Sequence, residues 1–158
     1  MYRWFFVLLL GFMLVGGSEV VLYESTVDTG AWVYNDDRPL QYAVSANEEV
    51  WNRQLGQLEP PLRNRPEVDW ETEFPILVYL GEHRSGGYRV EIDQVRKEGN
   101  IMVVQVSRRS PGPGEMVTMA FTYPMQVITL PKEHIENVEK VRFVRGESEL
   151  LGEVNILQ

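Results

Sequence analysis

The stretch from residue 74 to residue 132 constrains the fold most, because it holds five runs of strand-forming residues, the first four of which are separated by breaks that contain glycine. The first run, FPILVYLG, is almost continuously apolar, which is typical of a buried strand. The second, YRVEIDQV, alternates between apolar and polar residues, as a strand does. The runs IMVVQVSRR, MVTMAFTYP and MQVITLPK complete the set. This part of the chain predicts a mostly antiparallel sheet.

Shorter strand-like segments flank this stretch on both sides. EVVLYES, AWVYN and PLQYAVS precede it, and turn-forming residues separate the last two. After residue 131, KEHIENVEKV predicts a short helix. VRFVRGESELLGEVNIL then predicts a hairpin that turns near residues 145–147.

Residues 45–58 predict an amphipathic helix. Residues 45–48 form an S-x-x-E capping box, which satisfies two backbone donors at a helix start. Apolar residues then recur at the helical spacing, and two prolines follow that end the helix: Trp51, Leu55, Leu58, Pro60 and Pro61. The chain therefore predicts an α+β fold, a mostly antiparallel β-sandwich or half-barrel with one packed amphipathic helix.

Composition limits the classes of function. The 158 residues contain 44% hydrophobic residues, enough for one globular core. The net charge of −8 and the absence of a Lys/Arg-rich run argue against nucleic acid as a partner, and an acidic surface is repelled by anionic lipids. With no cysteine, the chain can form neither a disulfide nor a zinc–thiolate site.

The N-terminus has the pattern of an export signal. Arg3 supplies a positive charge, and an apolar run from Trp4 to Val15 follows it. This run is shorter than the ~20 residues of a membrane span and fits the hydrophobic region of a secretory signal. We expect residues 1–17 to be a signal peptide or N-terminal membrane anchor, residues 18–158 to be a single β-rich domain, and the protein to be exported.

Candidate catalytic groups are few. His83 and Ser85 lie two residues apart, but no G-x-S-x-G elbow accompanies them. The acids of residues 67–73 alternate along an extended segment, which spreads them too far apart to surround one cation. We therefore expect no catalytic residues, no metal and no cofactor, although a hydrolase using Ser85, His83 or the acidic loop stays an alternative.

Two glycine-rich loops are the candidate functional features. One has the sequence RSGGY and the other PGPG, and glycine permits both positive φ and close backbone approach. Such loops can present a rigid edge with an aromatic side chain to a partner, or they can be a bulge and a turn that the sheet requires. The first alternative predicts a protein-binding site formed by Arg84, Ser85, Gly86, Gly87, Tyr88, Pro111, Gly112, Pro113 and Gly114.

Several motifs in fixed order resemble the C-terminal domain of the protease complex subunit PrcB family. They are Gly81-Glu82 with Gly86-Gly87-Tyr88, the S-P-G-P-G run from Ser110, the M-V-T-x-A-x-T-Y-P segment from Met116, and a closing Pro131-Lys132. The resemblance is strongest over residues 74–132.

The resemblance implies an exported, non-catalytic accessory protein at a bacterial surface that associates with or stabilises a protease or another envelope protein. Two alternatives remain open. The two loops also resemble those of chagasin-type secreted peptidase inhibitors, which implies insertion into a protease cleft. A structural envelope domain without a specific partner is the other alternative.

Overall fold

The computed structural model describes residues 19–156, so the predicted signal peptide or anchor lies outside the described residues. It contains one α-helix, one short 3-10 turn and eight strands within that range. These are β1 Glu19–Glu24, β2 Gln41–Val44, α1 Glu48–Leu55, β3 Glu73–Tyr79, β4 Arg89–Glu98, β5 Ile101–Arg109, β6 Met125–Pro131, the 3-10 turn Lys132–His134, β7 Lys140–Arg145 and β8 Glu149–Asn155.

The strands form two sheets. The larger has the order β1-β4-β5-β7-β8, and the smaller has the order β2-β3-β6. Neighbours are antiparallel except for β5 and β7, which are parallel. The prediction of a mostly antiparallel β fold with one helix is confirmed, and the sheets do not close into a barrel.

Strand β3 is buried on both faces, which explains its continuous apolar sequence. Its even-numbered residues, such as Ile76, join a core shared with the larger sheet, where Ile92 and Phe143 are fully buried. On the opposite face Leu77 packs in a second cluster with Trp51 of the helix. The smaller sheet is therefore a middle layer between the larger sheet and α1.

The helix begins two residues later than its capping box predicts. Asn47 is the N-cap, and its side chain accepts a hydrogen bond of 3.1 Å from the Val50 N–H. Ser45 instead bonds to the backbone of Asn47, so its assignment as the cap is wrong. The helix ends at Leu55, and Leu58 is buried just beyond it. No helix within residues 19–156 has the length and apolar character that crossing a bilayer requires.

Two predicted strands are absent from this part of the chain, and one predicted helix is shorter. Residues 31–35 cross the end of β5, where the Ser110 N–H donates to the Val33 carbonyl at 2.8 Å, and they pair with no strand. Residues 116–124 form only a single bridge, between Thr122 and His83. The helix expected after residue 131 is only a 3-10 turn, because the chain soon continues into β7. The predicted hairpin is confirmed and turns at Gly146, whose φ is +58°.

Candidate functional site

Two loops at one end of the molecule lie side by side. Residues 80–88 join β3 to β4, and residues 110–124 join β5 to β6. His83 and Thr122 exchange two backbone hydrogen bonds of 2.8 Å, and the Gly86 N–H donates to the Thr118 carbonyl at 2.9 Å. These contacts extend the pairing of β3 with β6 past the sheet. We call the two segments together the loop pair.

The double glycine lies where the two loops approach each other closely, and Gly87 is the more constrained of the two residues. Gly87 has φ = +87°, and a Cβ added there would lie 2.8 Å from a methyl of Val117 and 2.9 Å from the Pro111 ring. A Cβ added at Gly86 would lie 2.7 Å from the Thr118 hydroxyl. At Gly87 the positive φ and the two short contacts together favour glycine, whereas at Gly86 the single short contact is with a threonine hydroxyl that can rotate.

A charged network braces the turn at residues 111–114. The Glu115 carboxylate accepts hydrogen bonds from the Gly112 N–H at 2.9 Å and from the Arg109 guanidinium at 2.7 Å. Both hydrogen bonds favour the ionised carboxylate and hold the pKa of Glu115 below its usual range, and the bond from the Gly112 N–H has the larger effect. Arg109 also donates to the Gly87 carbonyl at 2.9 Å, so one side chain ties both loops together.

Tyr88 lies at the base of the loop pair instead of at its tip. Its half-buried ring packs on His83, with ring centroids 3.9 Å apart. His83 is only 1% exposed, and burial lowers its pKa. Its Nε2 faces the Asp36 carboxylate at 3.4 Å, and the hydrogen bond from Arg38 lowers the pKa of Asp36 to about 2.

This geometry does not bring a nucleophile to a base. The Ser85 hydroxyl donates to the Gly86 carbonyl at 3.2 Å, and His83 is directed towards Asp36 instead. In the acidic segment at residues 67–73, the Asp69 carboxylate already accepts hydrogen bonds from neighbouring residues, namely from the Thr72 hydroxyl and the Glu71 N–H. Within residues 19–156 no group of three or more His, Asp or Glu side chains is placed to hold a metal ion.

The predicted binding residues differ in exposure. Ser85, Gly86, Gly87, Tyr88 and Pro111 are half-buried, whereas Arg84, Gly112, Pro113 and Gly114 are exposed. The structure thus brings all nine to one end of the molecule, but it places four members of the RSGGY segment and one proline mainly in contacts within the loop pair.

Sequence reasoning missed three exposed large apolar side chains that lie close together along one loop. Met116 is 97% exposed, Met119 is 89% exposed and Phe121 is 60% exposed. We call these three residues the apolar tip. They lie in the segment predicted as a strand, but their spacing of three and then two residues fits no single strand face, and this irregularity was the available signal.

Comparison with known proteins identifies the segment that builds this site. Residues 75–131 match the family model PrcB C-terminal. The match confirms the resemblance inferred from the sequence motifs and agrees closely with the predicted core at residues 74–132. The PrcB C-terminal segment runs from β3 to the end of β6 and includes the whole loop pair with its apolar tip. No curated protein and no solved structure matches the chain significantly.

Proposed function

We propose that this protein is an exported, non-catalytic accessory protein that uses the apolar tip to bind a protein partner, with a protease as the first candidate. The exposure of Met116, Met119 and Phe121 on the braced loop pair carries the proposal. The PrcB C-terminal match supports a role in association with a protease complex. It covers the loop pair, which links that role to the tip.

The tip is suited to binding on physical grounds. Three large apolar side chains exposed within six consecutive residues of one loop are candidates for burial against another surface. Burying one such side chain fully contributes about 1.5–3 kcal/mol. Methionine adapts its shape to a partner surface, and a loop that is already braced loses less conformational entropy on binding.

The N-terminal end of the described domain and the loop pair lie at opposite ends of β4. The predicted signal or anchor joins the described domain at Glu19, which pairs with Glu98 at one end of β4. The loop pair adjoins Arg89 at the other end of this ten-residue strand. At about 3.3 Å per residue the two ends lie roughly 30 Å apart. In a chain anchored through its N-terminal segment, the loop pair would therefore lie at the end of β4 opposite the point of attachment.

Peptidase inhibition through the Gly-Gly-Tyr and Pro-Gly loops is the alternative, and contacts within the loop pair argue against it for the first of these loops. That mechanism requires the loop to insert into a protease cleft, whereas Gly86 and Gly87 are covered by the neighbouring loop and Tyr88 packs on His83. These contacts favour binding through the apolar tip over inhibition through the glycine loop.

A pull-down with a matched control tests the proposal. The tip variant carries Met116→Ser, Met119→Ser and Phe121→Ser, and the control carries Val20→Ser, Val21→Ser and Leu150→Ser at three half-exposed apolar positions outside the loop pair. Envelope extracts should yield a partner with the wild type and the control but not with the tip variant.

Activity of the captured protease separates the alternatives. Unchanged or prolonged activity in the complex supports an accessory role, and slowed cleavage supports an inhibitor. Equal recovery by the tip variant would refute binding through the tip. Recovery of nothing by any form, including the wild type, would favour a structural domain.

A further inference from the structure

An apolar cleft of about 260 Å³ lies on the outer face of the smaller sheet. One wall is the segment that follows the helix, and the other consists of a tyrosine from β3, a tyrosine from the end of the loop pair and the methionine that begins β6. The residues that form these walls are Pro60, Pro61, Leu62, Tyr79, Tyr123 and Met125. The cleft is separate from the nine residues predicted as a binding site.

Hydrogen bonds hold both walls in place. The Tyr79 hydroxyl donates to the Pro60 carbonyl at 3.1 Å, and the Tyr123 hydroxyl donates to the Glu82 carboxylate at 2.7 Å. The Gln41 side chain accepts from the Glu59 N–H and donates to the Glu59 carbonyl, both at 2.7 Å. Because both tyrosine hydroxyls already have partners, the rings offer the cleft mainly their apolar surfaces.

The size of the cleft favours a single side chain as its occupant. Pockets that hold small molecules or cofactors typically measure about 300–1,000 Å³. A cleft of about 260 Å³ is below that range but large enough for one aromatic or large aliphatic side chain.

The rim adds a charge requirement. Arg63 is the only charged residue among those lining the cleft, and its guanidinium lies 5.6 Å from the centre of the Tyr123 ring. Its side chain is exposed, and none of the ion pairs formed within residues 19–156 involves it. Arg63 is therefore available to pair with a carboxylate from a bound segment, while the nearby Glu82 carboxylate is bound by the Tyr123 hydroxyl.

We propose that this cleft binds an extended segment of a protein partner, in which an aromatic side chain fills the cleft and an adjacent carboxylate pairs with Arg63. This inference rests on the proposed function, since it specifies which segment of the partner is recognised. Phe121, Tyr123 and Met125 occupy alternate positions along one chain segment, and Met125 both lines the cleft and is 41% exposed. One extended segment can therefore contact the cleft and reach the apolar tip.

Peptide titration of the purified domain, followed by NMR chemical shifts, tests the cleft without any natural partner. The probe is an octapeptide with phenylalanine followed by aspartate in a glycine–serine background. Two sister peptides replace the phenylalanine by alanine or the aspartate by lysine. We expect saturable binding of the first peptide with a dissociation constant of about 1 mM or tighter and with shifts at Tyr79 and Tyr123. It should bind about tenfold more tightly than the alanine peptide and about two- to fivefold more tightly than the lysine peptide.

Charge reversal completes the test. Arg63→Glu should reverse the preference between the aspartate and lysine peptides, whereas Arg53→Glu, with the same charge change on the exposed face of α1, should leave it unchanged. Equal binding of all three peptides, no saturable binding, or an unaltered preference in Arg63→Glu would overturn the inference. Because this assay needs no extract, failure here with a positive pull-down rejects the cleft alone, and peptide binding with a negative pull-down rejects the proposed function.

Discussion

Gly87→Ala should destabilise the domain more than the same change at any open turn glycine. The structure separates two costs at this position. A left-handed backbone conformation costs a non-glycine residue about 1–2 kcal/mol. At Gly87 the new methyl would also meet the Val117 and Pro111 side chains at 2.8 and 2.9 Å, and overpacking of this kind costs about 1–3 kcal/mol. We expect a total loss of about 2–5 kcal/mol in the free energy of unfolding.

Gly114 provides a matched control within the same loop pair. Its φ of +76° carries a comparable conformational cost, but a Cβ added there would have no atom within 4 Å. Gly114→Ala should therefore lose only about 1–2 kcal/mol. The difference between the two variants measures the packing of one loop against the other.

Urea unfolding followed by tryptophan fluorescence measures both variants. The midpoint should fall more for Gly87→Ala than for Gly114→Ala, while the denaturant slope stays constant because both variants unfold the same surface. Equal losses for the two variants would refute the explanation that Gly87 lacks a side chain because the neighbouring loop occupies that space.

Two further predictions concern helix α1 and the Asp36 carboxylate, which faces His83 of the loop pair. Trp51→Ala should cost about 3–5 kcal/mol, because Trp51 is only 2% exposed and packs edge-on against Trp70; Glu49→Ala, on the exposed face, should change the same urea midpoint little. Asp36→Asn should destabilise the domain at pH 7. Arg38 lowers the pKa of Asp36 to about 2 in the folded state, whereas the unfolded value is about 3.9. Ionised Asp36 therefore favours the folded state above the unfolded pKa. This contribution is lost as the pH falls from about 4 to about 2, so the difference in the free energy of unfolding between variant and wild type should shrink in that window. A difference that stays constant on acid titration would contradict the assigned role of Asp36.

The sequence alone was sufficient to predict the features that depend on residues close together along the chain. The continuous apolar run of β3 indicated burial, and the spacing of Trp51 and Leu55 indicated the face of the helix that packs. The motifs of residues 74–132 were enough to identify the PrcB C-terminal segment. In each case the signal lies in the order of neighbouring residues, because periodicity and turn chemistry act over a few positions.

Only the tertiary structure decided what the glycine loops do. Gly87 requires no side chain because Pro111 and Val117, more than twenty residues away, occupy that space, and no local pattern encodes such a contact. The same long-range pairing directs Tyr88 inward onto His83 and leaves Met116 and Met119 in solvent. Exposure depends on what the rest of the chain covers, so an apolar run predicts a strand equally well whether the fold buries it or leaves it at the surface.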